Sequence, residues 1–204
     1  MRKSCKAWSA ATATLLLLTL PLAAQQTAKE AEREAGTPAE YKKILSPEDK
    51  FEILGRLAGT WEGTFTAWTY GTPPKPVPLK ESIEAKWILN DRFLDTQFTL
   101  KFPEHATQGR VTMGYDGAKR HFYRIFMVDY DPRATISTGY YIKAKNALVF
   151  HGVEADPVSG DSFTKRDVFT FDDKDKIGYA QYYTFADGSE IKVIEGYYTR
   201  VSGK

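Results

Sequence analysis

Phe51, Leu54 and Leu57 recur at helical spacing along one face of a short segment. Ser46 at the N-cap, Pro47 at the first helical position and Glu48 and Asp49 in the first turn predict a capped helix there, stopped by Gly59. From Thr60 the period changes to two. Trp61, Gly63, Phe65 and Ala67 point one way, and Glu62, Thr64 and Thr66 the other. Strand-like runs then follow to the end of the chain: 60–68, 79–89, 92–100, 109–115, 120–128, 135–142, 147–153, 162–171, 178–185 and 190–200. Turn chemistry separates them, with Asn90-Asp91, Asp116-Gly117, Asp131-Pro132, Lys145-Asn146 and Asp187-Gly188 among the breaks.

Short turns and the absence of βαβ spacing imply an all-β, up-and-down antiparallel barrel of about ten strands with a short N-terminal helix across one end. Several runs, 93–100 and 179–185 among them, are bulky on both faces, which suits a closed sheet better than a flat one.

The first residues read differently. Arg2, Lys3 and Lys6 precede an apolar run at 10–20 and then Pro21-Leu22-Ala23-Ala24, the order of a secretory signal over 1–24. The run is too short for a membrane span, which takes roughly 20 apolar residues, so no transmembrane anchor is expected. Residues 25–45, rich in Ala, Glu and Lys, read as a flexible charged leader, and 46–204 as one barrel domain. Cys5, the only cysteine, lies before the apolar run and leaves with the signal, so neither lipid anchor nor disulfide is expected. Periplasmic or secreted localisation follows. The 28 basic and 26 acidic residues become 25 and 26 once 1–24, with three basic and no acidic groups, are removed; that balance argues against nucleic acid as a partner.

Five motifs together, Leu57-Ala58-Gly59-Thr60-Trp61-Glu62-Gly63, Lys86-Trp87-Ile88-Leu89-Asn90-Asp91-Arg92-Phe93-Leu94, Gly114-Tyr115-Asp116, Asp156-Pro157-Val158-Ser159-Gly160 and Tyr198-Thr199-Arg200, resemble a family of bacterial secreted domains of unknown function in the lipocalin-like (calycin) superfamily. The resemblance implies the barrel and no reaction. It also implies that Arg200 packs over the Trp61 ring as a scaffold pair, a cation–π contact worth roughly 0.5–2 kcal/mol. Nitrobindin-like barrels, a neighbouring branch, share Gly-x-Trp-x-Gly and bind haem through a histidine near the C-terminus. No histidine follows His151 here, so haem is not expected, and no other cofactor is implied.

Candidate chemistry is sparse. His105, His121 and His151 lack companions at metal-ligand spacing, and 172–178 lacks the oxygen donors of a calcium loop, so no metal is expected. No nucleophile elbow or phosphate loop occurs, and no catalytic residue is assigned. Aromatic residues, 14% of the chain, concentrate in the strands and suit either a filled core or a wall for an apolar ligand with a polar end. The leading expectation is an exported barrel that encloses a small, largely hydrophobic molecule without covalent chemistry. Trp68, beside a proline-rich rim at 70–78, marks its entry, and Trp87, His121, Tyr123 and Tyr183 are its wall candidates. Arg166 and Asp167 project to opposite faces, so one of them can point inward, and Arg166 joins the candidate set. Two alternatives stay open: a ligand-free interaction or stress module of the envelope, and a barrel enzyme using Arg166 or Tyr183 as proton donor.

Overall fold

The two-residue period that begins at Thr60 becomes one sheet that closes on itself. The computed structural model describes residues 47–68, 73–156 and 159–201, so the signal, the leader and the tip of the proline-rich rim lie outside the described residues. A helix, α1 (Glu48–Gly55), precedes β1 (Gly59–Trp68), β2 (Pro76–Ile88), β3 (Phe93–Lys101), β4 (Ala106–Asp116), β5 (His121–Val128), β6 (Asp131–Ile142), β7 (Ala147–Ala155), β8 (Ser162–Phe171), β9 (Lys176–Thr184) and β10 (Glu190–Arg200). Each strand pairs antiparallel with its neighbour in sequence, and β10 returns to β1, with Trp61 opposite Arg200 and Phe65 opposite Gly196. The fold is therefore a ten-stranded up-and-down barrel with one short helix.

Boundaries differ from expectation where proline or glycine sits. Pro47 occupies the N-cap place in an extended conformation (φ −67°, ψ 116°) instead of the first helical position. Gly59 opens β1 and does not stop the helix, which already ends at Gly55. Its φ of 116° and the Arg200 guanidinium, which a Cβ would strike, both require glycine there. β2 starts at Pro76, inside the stretch expected to be the rim, because Pro76 and Pro78 pair only with β1; β3 joins from Lys80 onward. A proline is tolerated on a strand with one unladdered side. β6 likewise starts at Asp131, the expected turn, and the register with β5 shifts between Phe126 and Val128, opening room for Pro132.

The helix end of the barrel is filled. Leu54, Leu57, Trp61, Leu94, Phe122, Leu148, Phe150, Phe171 and Ile177 are each at most 7% exposed, and burying such side chains contributes about 1.5–3 kcal/mol apiece. Trp61 Nε1 donates to the Leu57 carbonyl at 2.9 Å, and the Arg200 guanidinium lies 4.0 Å over the Trp61 ring. Arg200 also donates to the carbonyls of Ala58 (2.8 Å) and Lys174 (3.1 Å), so the pair ties the last strand to the helix–β1 connection as expected. Opposite it, Asn146 in a left-handed conformation (φ 46°) accepts bonds from Arg56 and Tyr141 and donates to the Phe171 carbonyl. Among the described residues no helix is long and apolar enough to cross a membrane.

Candidate functional site

Above the filled end, alternation along three strands brings charge inside. On β2 the inward row is Leu79, Glu81, Ile83 and Ala85; on β5 it is Phe122, Arg124, Phe126 and Val128; on β8 it is Phe163, Lys165, Asp167, Phe169 and Phe171. Each apolar row carries one or two ionisable groups. Their levels coincide because Arg124 lies opposite Met113 and Ser137, Asp167 opposite Phe150 and Gln181, and Glu81 opposite Gly63 and Leu100.

Arg124 Nη1 donates to Asp167 Oδ2 at 2.5 Å, with both residues almost fully buried. Asp167 Oδ1 accepts from the Tyr179 hydroxyl (2.7 Å) and Gln181 Nε2 (2.9 Å). Burial alone would raise the Asp167 carboxyl; the charges of Arg124 and Lys165 and these hydrogen bonds outweigh it and hold the group below the ordinary carboxylate range. Arg124 Nε is buried and has no partner. A second group surrounds Glu81, which takes a hydrogen bond at 2.6 Å from the Tyr198 hydroxyl. Burial pushes its carboxyl up to about 7, although that bond and the Arg124 charge both act to lower it. Nearer the far end, Lys165 Nζ reaches Glu154 at 2.8 Å and Arg133 pairs with Asp131 at 2.7 Å.

These groups line a cavity of about 370 Å³, which extends from the polar cluster toward the end opposite α1. Its apolar wall comes from Phe65, Leu79, Phe98, Leu100, Phe126 and Phe169. Phe98 on β3 and Phe126 on β5 stack at 5.5 Å along one wall. The cavity lies within the usual range of about 300–1,000 Å³ for small-molecule pockets, toward the small end. A larger hollow, about 780 Å³, crosses the outer face by Ser82, Glu84, Gln97 and Arg110, but it lies open to solvent and encloses nothing. Among the described residues, no cluster of His, Cys, Asp or Glu is placed to hold a metal ion.

Of the six candidate ligand-site residues, the structure places Tyr183 on the cavity lining, 4.5 Å ring to ring from Phe163. Trp87 is half-buried in the α1 end, packed on Phe51 at 6.0 Å and away from the cavity. The other four stand on the outward parity. Trp68 is half-buried at the end of β1; His121 meets Tyr140 at 6.4 Å; Tyr123 lies over Gly114 and against Phe93. Arg166 pairs with Glu190 at 2.7 Å and lies 4.0 Å over the Tyr182 ring, so of the Arg166–Asp167 pair it is Asp167 that enters the barrel. Register decides the exchange, because one parity step swaps the two faces of a strand. Glu81, Arg124 and Lys165 were missed, although a charge inside an otherwise apolar alternating row was their visible signal.

Comparison with known proteins follows the same outline. A family model described as "Protein of unknown function (DUF1579)" matches residues 46–200, and the chain belongs to that family. No curated protein matches it. Among solved structures, it resembles the S-type phycobiliprotein lyase CPES from Guillardia theta at 11% identity, over 80% of this chain and 99% of that one, with a TM-score of 0.53. It also resembles Rv2717c from M. tuberculosis at 13% identity, over 74% of this chain and 97% of that one, with the same TM-score of 0.53. At such identities the likeness is one of fold.

Proposed function

We propose that this DUF1579 member encloses a small, largely apolar molecule non-covalently inside the barrel, and that it does so outside the cytoplasm. The cavity of about 370 Å³ inside the barrel carries the reading: apolar side chains from β1, β2, β3, β5 and β8 wall it, and hydrogen-bonding groups lie at its inner end. A barrel meant only as a scaffold gains by filling such a space, since a void forfeits packing energy in proportion to its volume. The likeness to a phycobiliprotein lyase is compatible with a barrel of this shape serving small-molecule chemistry. Export rests on the basic, apolar and small-residue order of residues 1–24.

Native mass spectrometry of the protein, purified gently from its own compartment, tests the reading. An extra mass that reproduces between preparations and disappears on denaturation is expected. Leu100→Trp, which fills the cavity from β3, should abolish it while the fold persists. An extra mass that survives in that variant would place the ligand elsewhere and overturn the proposal.

A further inference from the structure

We infer that the polar end of the enclosed ligand is a cationic nitrogen, seated against the Glu81 carboxylate at the inner end of the cavity. The inference rests on the enclosure reading above and specifies the ligand's class.

Charge pairing in the cavity leads to it. Arg124 is paired with Asp167, Lys165 with Glu154, and Arg133 with Asp131. Three cations close on three acids, and Glu81 is the acid left over. Among the described residues no cation forms an ion pair with it, and its one hydrogen bond comes from Tyr198. An anionic ligand head would add a second negative charge beside it. Arg124, the cation whose charge acts on Glu81, is committed to Asp167, and its unpartnered Nε is shut away from the cavity surface. A cationic head completes the balance instead.

The walls around Glu81 also suit a cation. The Tyr198 ring stands 4.9 Å from Phe65 and 6.0 Å from Tyr179, and Phe65 and Tyr179 are 5.8 Å apart. This triangle of rings, with a carboxylate hydrogen-bonded to one of them, combines the two attractions that hold ammonium groups in apolar pockets. The groups facing Glu81 keep their charge states between pH 6 and 8. Tyr198 on β10 and Tyr179 on β9 are held well above the ordinary phenol range by burial, Asp167 on β8 is held low and Arg124 on β5 high. Lys165 on β8 faces Glu154 on β7, while β1 and β3 present Phe65, Phe98 and Leu100. Glu81 is thus the group that changes charge in this window.

Calorimetric titration of the wild-type protein and Glu81→Gln with 4-phenylbutylamine, 4-phenylbutanol and 4-phenylbutyrate, at pH 6 and pH 8, tests the assignment. The amine should bind most tightly and gain up to about tenfold from pH 6 to pH 8, as Glu81 passes from mostly protonated to mostly ionised. At pH 6, titrations of wild type in buffers of different ionisation enthalpy should show close to one proton released per amine bound. In Glu81→Gln the amine should fall to the level of the alcohol, which should itself be unchanged. Alcohol or carboxylate matching the amine at pH 8, or amine binding without proton release, overturns the cationic head and leaves enclosure standing. Silence from all three probes overturns both.

Discussion

Glu81 loses its proton near pH 7 in the folded chain but near the ordinary value of 4.5 when the chain unfolds. Between those values the fold holds a proton that the unfolded chain has released, so the contribution of this group to stability is greatest below pH 4.5 and is lost as the pH rises from there through 7. Glu81→Gln removes that dependence while keeping an acceptor for Tyr198. It should raise stability at pH 8 by on the order of 3 kcal/mol and leave it nearly unchanged at pH 4, measured by denaturant unfolding at both values. Equal effects at the two pH values would show that the carboxyl is not buried as described. This residue was legible in principle: Leu79-x-Glu81-x-Ile83-x-Ala85 is an apolar row with one charge in it, as is Phe122-x-Arg124-x-Phe126. On β5 the other row, His121-x-Tyr123-x-Ile125, reads equally well as a wall, because aromatic side chains cover both faces of that strand. Nothing in a single strand says which row faces inward; that is settled by its neighbours.

At the scale of elements, most strands can be read from alternation and turn residues; β4 starts three residues earlier than expected, at Ala106, and the other large departures fall where β2 and β6 accept a proline on an unpaired or shifted stretch. What alternation does not convey is how strands are tied across the interior. β5 and β8 are not neighbours in the sheet, yet Arg124 on one and Asp167 on the other join them through the core. Breaking one side leaves a buried, unpaired charge, so Asp167→Leu should cost about 3–5 kcal/mol. Adding Arg124→Met should recover part of the loss. It leaves Tyr179 and Gln181 without their acceptor, which keeps the double variant about 1–3 kcal/mol below wild type. Denaturation midpoints of the three proteins check this. A neutral Asp167→Leu would mean that the pair is not buried in solution.

For the molecule as a whole, closure was the most legible property, since a ten-strand meander with bulky residues on both faces has few other ways to hide its edges. The cavity was not legible, because the same aromatic content fills the helix end and walls the open one; which rings pack and which leave space depends on inward glycines such as Gly63, over which Phe65 and Tyr198 lie. Closure is also all-or-none. Deleting residues 190–204 removes β10 and exposes β1 and β9 along their lengths, so that variant should show no cooperative thermal transition and should aggregate, and a sharp melting curve would contradict a barrel held by its seam.

The seam also sets an order of events. β10 emerges from the ribosome only after all the strands that separate it from its partner β1, so the contacts that join Trp61 to Arg200 close a very long loop and are entropically expensive to form. A nascent chain that lacks β10 can hold local hairpins but no finished barrel. Until β10 has emerged, the chain holds no closed ring that would have to be opened again to straighten it.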